Sequence, residues 1–304
     1  MATHLVFGAT GAVGRFLLRR LLAQGDRVVA ISRRPPQPST DGLQWLAADL
    51  FGATPDLPPV DSLLSVGPLD GCAHWLSKLR ADGIVRIIAI GSQSAVSKRE
   101  SADPRERDLA ARLERAEERV VESAHRLGAA ATILRPTLIY GAGLDHSLTP
   151  LAHFARRWRL FPLPVGGSGM RQPVHADDVA AGCVAVLGSP ATAGKTYAIG
   201  GGERLSVTSM LDRMRASLGI PTLPLPLPVH ALTPLVALAG RLRFPVPVAA
   251  WHRLATDLLA DHADATRDFG WNPRPFEPDP ECWNPAPLPQ AQHASSLPWR
   301  GRSA

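Results

Sequence analysis

The fold is decided by His4-Leu5-Val6-Phe7-Gly8-Ala9-Thr10-Gly11-Ala12-Val13-Gly14, near the start of the chain. An apolar, β-forming run breaks into three glycines and then continues with the apolar spacing of a helix. The pattern predicts a strand, a tight turn and a helix, in which the glycines let the backbone approach a pyrophosphate and let the helix pack closely on the strand. Free N–H groups at the amino end of the helix favour the phosphates. The predicted dinucleotide contacts are Gly8, Thr10, Gly11, Ala12, Val13 and Gly14.

The end of the second predicted strand indicates which dinucleotide is bound. Residues 27–31 are apolar and β-forming, and Ser32, Arg33 and Arg34 follow them. An acidic residue at this position binds the 2′-hydroxyl of NAD, whereas an arginine nearby accommodates the 2′-phosphate of NADP. Because Ser32 stands where the acid would be and two arginines follow, the sequence favours NADP(H), with NAD as the alternative. Arg33 and Arg34 also have a plainer interpretation, as solvated charges of a loop.

The composition is that of a globular soluble protein and not of a disordered one. The 304 residues are 45% hydrophobic and 20% charged, enough for one doubly wound domain and a smaller lobe. The net charge is +6, but the basic residues are spread along the chain and only Lys78, Lys98 and Lys195 are lysines. Since no segment is dense enough in basic residues to follow a phosphate backbone, we expect no nucleic-acid partner.

The cysteines and the apolar segments predict a cytoplasmic protein. Cys72, Cys183 and Cys282 have no metal-ligand spacing and are odd in number, which indicates a reducing compartment without a disulfide framework and predicts no metal site. The start of the chain has no basic-then-apolar leader. The longest apolar run, residues 231–240, is shorter than the roughly 20 residues that a membrane span needs.

Alternating strands and helices organise the first half of the chain. Further strands are predicted at 43–48, 60–66, 84–90 and 130–134, with helices at 71–81 and 104–127. Such alternation predicts an α/β fold, a Rossmann-type doubly wound parallel sheet with a small C-terminal substrate lobe. We expect a dinucleotide-binding domain at 1–145, to which 170–200 return, and the lobe at 146–272. The lobe contains an extended proline linker at 221–228 and two apolar helices up to Ala260, and a proline-rich extended tail follows at 273–304.

The ends of the other strands supply the remaining predicted cofactor contacts. The carboxyl edge of a parallel sheet is where such folds bind ligands. Asp49 and Leu50 would border an adenine, although a plain cap of the strand end explains Asp49 equally well. The other predicted contacts at this edge are Val66, Gly67, Pro68, Gly91 and Pro136.

Four motifs in order carry a family resemblance. They are the glycine stretch 8–14, Leu134-Arg135-Pro136 with Tyr140-Gly141, R-Q-P-V-H-A-D-D-V at 171–179, and residues 196–202 followed by Leu205-Ser206. Together they resemble the extended and atypical short-chain dehydrogenase/reductase superfamily, and the NAD-dependent epimerase/dehydratase group within it is nearest. The resemblance runs from the first strand to about Leu218. It implies a Rossmann domain that carries the cofactor and a small lobe that shapes the substrate site.

The sequence departs from the superfamily at the catalytic pair. Its enzymes usually carry Tyr-x-x-x-Lys on the helix after the fifth strand, where the lysine lowers the pKa of the tyrosine and the tyrosine moves the proton. This chain has two tyrosines, Tyr140 and Tyr197, and neither has a lysine four residues later. Depending on register, the tyrosine position falls on Leu109, Ala110 or Ala111, and the lysine position on Leu113, Glu114 or Arg115.

Several side chains remain as candidates for catalysis and substrate binding. Ser92 and Ser94 follow the fifth strand, and with Tyr140 they are the predicted catalytic residues. Tyr140 as a packing residue is the alternative. Arg171 matches a family position that often contacts a substrate phosphate, and His175 precedes two aspartates; a surface arginine and a structural histidine are the plainer interpretations.

Two functions are open on the sequence. The first is an NADP(H)-dependent oxidoreductase, epimerase-like, that acts on a small carbonyl compound or a nucleotide sugar. The second is a non-catalytic sensor or accessory subunit that binds a dinucleotide. The motifs of the lobe favour the enzyme, whereas the missing tyrosine and lysine favour the second. Of the two, the sequence prediction is the enzyme, with the binding protein as the alternative. The predicted partner is a small-molecule substrate, and a homodimer is a further option.

Overall fold

The structure, a computed structural model, describes residues 1–36, 38–80, 83–165, 169–228 and 256–289. The strands are β1 Thr3–Phe7, β2 Arg27–Ser32, β3 Leu43–Ala47, β4 Ser62–Ser65, β5 Arg86–Ile90, β6 Ala130–Pro136, β7 Ile139–Tyr140, β8 Leu160–Val165, β9 Met170–Arg171, β10 Val174–His175, β11 Thr196–Ile199, β12 Leu205–Ser206 and β13 Leu223–Pro228. The helices are α1 Ala12–Ala23, α2 Leu69–Lys78, α3 Ser94–Ser97, α4 Pro104–Arg126, α5 Thr149–Trp158, α6 Ala176–Gly188, α7 Val207–Ala216 and α8 Ala263–Phe269, with 3-10 turns at Pro190–Thr192 and Pro280–Trp283.

The central sheet has seven parallel strands in the order β3-β2-β1-β4-β5-β6-β11. The predicted Rossmann-type α/β fold is therefore confirmed. The strand order reverses between β1 and β4, so the crevice of a doubly wound sheet lies at the carboxyl ends of these two strands. None of the described helices is long and apolar enough to cross a bilayer.

Both faces of the sheet are covered by helices, as the continuous apolar strands require. Side chains alternate along each strand: Leu5 and Phe7 of β1 enter a core with α2 and α4, whereas Val6 between them enters a core with α1 and α6. Trp75 of α2 packs edge-on against Phe7 at 4.5 Å between ring centroids. The two layers fix the carboxyl edge of the sheet from both sides.

The lobe has a core of its own, formed by α5, α7, β8 and the chain around the last 3-10 turn. Its fully buried large side chains include Tyr140, Phe161, Phe276 and Trp283. Residues 273–289, which belong to the predicted extended tail, are thus packed on the protein; residues 290–304 of that prediction lie outside the described residues. The predicted apolar helices that precede Ala260 also lie largely outside them, at 229–255.

The predicted proline linker is instead a strand. β13 pairs with β8 in parallel, and each proline of either strand stands opposite a residue that is not proline, as in Pro224 with Phe161 and Leu225 with Pro162. Proline lacks an N–H group and is tolerated where the partner strand does not need that donor. The N–H groups between the prolines stay available, and that of Leu223 bonds to the carbonyl of Arg159 at 2.8 Å.

Candidate functional site

The predicted cofactor residues follow strands of the central sheet and lie along its carboxyl edge. Phe7 of β1 pairs with Ile31 of β2 on one side and with Ser65 of β4 on the other. The glycine stretch after Phe7 therefore lies between Ser32 and Val66. The register continues through β5 and β6, which brings Gly91 and Pro136 to the same edge.

The glycine stretch is packed too closely for side chains at two of its three glycines. Gly8 has a φ of 75°, and a Cβ there would lie 2.5 Å from the backbone nitrogen of Gly67. A Cβ on Gly14 would lie 2.1 Å from the carbonyl oxygen of Gly8. Gly67 and Gly14 thus allow the loops after β1 and β4 and the start of α1 to lie in direct backbone contact.

Gly11 differs, because it is the N-cap of α1 and few atoms pack against it. Among the described residues outside its chain neighbours, a Cβ on Gly11 would meet only the carbonyl oxygen of Gly8, at 3.1 Å. Gly11 is the N-cap and supplies no side-chain acceptor, and the first helical bond runs from Arg15 N–H to the Gly11 carbonyl. The preceding N–H groups, of Ala12, Val13 and Gly14, are the ones that bind anions at such helix starts. The donor set and the open approach fit a pyrophosphate.

The loop after β2 presents two cations beside the glycine stretch. Arg33 and Arg34 are both exposed. The hydroxyl of Ser32 donates to the Arg34 carbonyl at 3.0 Å and is 3.3 Å from the Arg34 N–H, which donates to it. Ser32 thereby holds the turn that carries the two guanidinium groups at the edge of the sheet.

Asp49 and Leu50 are occupied by local contacts. The Asp49 carboxylate accepts a hydrogen bond from the Phe51 N–H at 2.9 Å, which is the behaviour of a strand-end cap. Leu50 packs on α2, where its side chain would be 3.0 Å from a Cβ on Gly71. An adenine contact of Asp49 and Leu50 stays a prediction.

Gly91 packs against a buried ion pair that sequence reasoning missed. Glu117 of α4 is 5% exposed and binds Arg135 of β6 with two oxygens, at 3.0 and 3.1 Å from Nε. A Cβ on Gly91 would lie 2.5 Å from the Glu117 carboxylate. The bond to Glu117 raises the pKa of Arg135 above its usual value. The available signal was the position of Glu117 on the apolar stripe of α4, between Leu113 and Val120.

The helix that usually carries the catalytic pair has apolar residues on this face. Leu113 lies one turn before Glu117, and Leu109 two turns before it, so these positions share its face. Leu113 packs against the core between α2 and α4. α4, which the structure describes throughout, contains no tyrosine and no lysine. Of the nearby hydroxyls, that of Ser92 accepts a bond from the Ser94 N–H at 3.1 Å.

Tyr140 lies in the core of the lobe and not at the edge of the sheet. It is 1% exposed and packs edge-on against Phe276 and His175, at centroid distances of 4.8 and 5.1 Å. Burial raises its pKa further above the usual range. This environment is that of a packing residue, the alternative interpretation of the sequence.

Arg171 and His175 are also engaged inside the protein. The Arg171 guanidinium donates to the carbonyls of Met170 and Thr256 at 2.8 and 2.7 Å, and the residue is buried. His175 accepts the Asp177 N–H at 3.1 Å through Nδ1, so it caps α6. The His175 ring also packs against Phe16 of α1, at 5.5 Å between ring centroids, and the substrate-binding roles of Arg171 and His175 stay predictions.

The cap by His175 predicts a pH dependence of folding. Burial, and then the nearby Arg274, lowers the pKa of His175 below its usual value of 6.5. The unfolded chain therefore binds more protons just below pH 6.5, and the free energy of unfolding falls as the pH drops through this window. His175→Asn keeps a cap acceptor and removes the titrating group. In urea unfolding between about pH 7.5 and 5, the free energy of unfolding should therefore fall less steeply for the variant than for the unaltered protein. An unchanged pH slope would contradict this origin.

Residues 4–55 and 72–200 match the sequence model of the NAD dependent epimerase/dehydratase family. The chain belongs to this family. The resemblance inferred from the motifs is thereby confirmed.

Relatives within and around the family differ in what their names describe. Subunit 9 of the Arabidopsis thaliana mitochondrial NADH dehydrogenase [ubiquinone] 1 alpha subcomplex is 29% identical over 80% of this chain, which spans 65% of that relative's length. A 2-alkyl-3-oxoalkanoate reductase of Stenotrophomonas maltophilia is 28% identical over 89% of this chain and 94% of its own. The crystal structure of UDP-glucuronic acid 4-epimerase from Bacillus cereus in complex with NAD superposes with a TM-score of 0.69 at 16% identity, covering 92% of this chain and 96% of the other.

Proposed function

We propose that this protein binds NADP(H) at the glycine stretch and holds it without the tyrosine and lysine that drive turnover in the superfamily. The dinucleotide then serves as a structural or sensing ligand. The observation that carries the proposal is the location of the tyrosines, of which the chain has two. Tyr140 is buried in the lobe, and the hydroxyl of Tyr197 donates to Asp268 at 2.7 Å.

The lysines support the same proposal. Lys78 ends α2, and Lys98 pairs with Glu106 at 3.6 Å. Lys195 binds the carboxylate of Asp268 at 2.8 Å, beside Tyr197. In the superfamily the lysine lowers the pKa of a tyrosine that stands beside it at the nicotinamide. Lys195 instead shares the Asp268 carboxylate with Tyr197. Burial, and then this carboxylate, raises the pKa of Tyr197.

The relatives and the composition add to this proposal. One relative is by its name a subunit of a larger complex, which is the setting of a dinucleotide-binding accessory protein. All three cysteines are free and buried, and this supports the predicted reducing location in the cytoplasm. A homodimer stays a prediction.

A second candidate is a reductase that acts on a small carbonyl compound or a nucleotide sugar. The reductase that spans nearly the whole chain and the epimerase fold favour it. NADPH would supply the hydride, and Ser92, Ser94 or a bound water would supply the proton at the edge formed by Gly91 and Pro136. A serine hydroxyl of ordinary pKa is a weak acid, which is why this candidate stands second.

Binding and turnover measured on the same preparation decide between the two. NADPH titrated by calorimetry should bind, whereas NADPH oxidation with a panel of aldehydes, ketones, 3-oxoacids and nucleotide sugars should stay at the rate without protein. Substrate-dependent oxidation would establish the second candidate. Loss of both binding and turnover would contradict the cofactor site itself.

Tyr140→Phe tests whether the buried tyrosine takes part in any turnover found. Because the ring packing is retained, we expect NADPH affinity to be unchanged and the free energy of unfolding to change by no more than about 1 kcal/mol, the size of one hydrogen bond. A proton donor at this position would instead make the rate fall by roughly 10² to 10⁴-fold. Thermal melting and initial rates separate these results.

A further inference from the structure

We propose that Arg15 is a positioning residue that couples dinucleotide binding to the docking of the C-terminal strap, defined here as residues 282–289. The proposal rests on the proposed binding of NADP(H) at the glycine stretch. Under it, the dinucleotide and the docked strap each stabilise the other through a single guanidinium group.

Arg15 is the contact between the glycine stretch and the strap. It follows Gly14 on the first turn of α1, and its Nε donates to the carbonyl of Thr10 at 2.9 Å. Its Nη1 donates to the carbonyl of Ala286 in the strap. One rigid, planar group thus binds a carbonyl of the phosphate-binding loop and a carbonyl of the strap at once.

The strap is also fixed to the rest of the protein, so it can transmit a change. The Ala286 N–H donates to the Ala142 carbonyl at 3.1 Å, and the Gly143 N–H donates to the Cys282 carbonyl at 2.9 Å. Trp283 is buried in the lobe and donates to Ser217 at 2.8 Å. The strap therefore runs from the core of the lobe to the amino end of α1.

Arg19 provides a matched comparison on the same helix. It lies one turn after Arg15 and donates to the carbonyl of Pro287, also in the strap. This strap contact is one residue away from that of Arg15, and among the described residues the Arg19 side chain donates no hydrogen bond to the glycine stretch. Removing Arg19 takes away one of several strap contacts and leaves the strap docked through Arg15, Ala142 and Gly143, whereas removing Arg15 also releases the Thr10 carbonyl.

Coupling of this kind is reciprocal. The docked strap holds Arg15 in the orientation that fixes Thr10. Displacing the strap therefore lowers the affinity for the dinucleotide, and it does so by the same factor by which bound dinucleotide favours docking of the strap. Gly143 offers a way to displace the strap from its far side, because a Cβ there would lie 2.2 Å from the backbone carbon of Asn284. Within the described part of the chain, the hydrogen bond of the Gly143 N–H and the atoms around its Cβ position all belong to the strap and not to the glycine stretch.

Hydrogen exchange of the full chain with and without NADPH tests the proposal directly. In the unaltered protein, saturating NADPH should slow exchange at the amides of Ala286 and Gly143, and Arg15→Ala should abolish that protection. Arg15→Ala and Gly143→Ala should each raise the Kd for NADPH by roughly tenfold, within the range typical of coupled sites. Arg19→Ala should retain the protection and change the Kd by less than about threefold, a small fraction of such coupling.

The possible results separate this inference from the function on which it rests. NADPH that binds the unaltered protein without slowing exchange in the strap overturns the coupling and leaves the proposed function standing. Equal losses of affinity in Arg15→Ala and Arg19→Ala also overturn it, because the bond to Thr10 then has no special effect. No binding of NADPH overturns both. Circular dichroism and melting curves verify that each variant is folded, and the first comparison needs no variant.

Discussion

Gly11→Asp is expected to abolish NADPH binding while leaving the protein folded. Gly11 is the N-cap of α1, and among the described residues outside its chain neighbours a new Cβ would meet only the Gly8 carbonyl oxygen, at 3.1 Å. A carboxylate there would occupy the approach of the pyrophosphate and repel it. Two like charges about 4 Å apart at an effective dielectric of about 20 repel by about 4 kcal/mol, or roughly a thousandfold in Kd. Isothermal titration with NADPH measures the loss.

Asparagine at the same position is the matched control, because it has the size of aspartate without the charge. Gly11→Asn should weaken NADPH much less than Gly11→Asp, and melting temperatures of the two variants should agree closely. Gly8 is unsuitable for this test: any side chain there would meet the backbone of Gly67 at 2.5 Å with a φ of 75°, so the variant would report on folding. Equal affinities in Gly11→Asp and the unaltered protein would show that the phosphates bind elsewhere.

The sheet edge at which the dinucleotide contacts are proposed could be predicted from sequence because its information is local. The glycine stretch specifies strand, turn and helix within a few residues, and the sheet register then follows from successive apolar strands of parallel type. Phe7, Ile31 and Ser65 stand side by side for that reason. The residues that follow each strand are accordingly brought to one edge.

The lobe could not be predicted in the same way, because its contacts are distant in sequence. Tyr140 packs against Phe276, and His175 lies 4.0 Å from the sulfur of Cys282, across 107 residues. Motif positions alone suggested chemistry for Tyr140 and His175, but only the packing of the later chain shows how deeply they are buried. The bond from Arg15 to Ala286 is of this kind too, spanning 271 residues.

The buried ion pair between α4 and β6 had a signal in the sequence, but the many arginines of the chain made its partner hard to identify. Glu117 sits on the apolar stripe, and a buried carboxylate requires a partner. Arg135 stands between two apolar residues of a buried strand and supplies that partner. Two charges placed on apolar faces of neighbouring elements predict an ion pair, but among so many arginines the pairing was not evident.

The double replacement of Arg33 and Arg34 by serine is expected to raise the Kd for NADPH by roughly tenfold to a hundredfold and to change the Kd for NADH little. Both side chains are exposed beside the glycine stretch, on the turn that Ser32 fixes. A hydrogen bond to a charged group contributes about 1.5 to 3 kcal/mol, and NADH lacks the 2′-phosphate that would accept it. Parallel titrations with the two dinucleotides give the ratio of affinities that measures this preference.

The ratio also distinguishes direct contact from a general field. Arg119 is exposed on α4, so Arg119→Ser lowers the net charge without altering the turn after β2. A general field effect would weaken the binding of NADPH and NADH in proportion to their charge. Arg119→Ser would show the same effect, and high salt would remove it. Direct bonds to the 2′-phosphate predict a loss confined to NADPH and to the Arg33 and Arg34 variant. Equal losses for both dinucleotides would remove these arginines from the choice of cofactor, and the preference for NADP(H) would then have no support in the loop after β2.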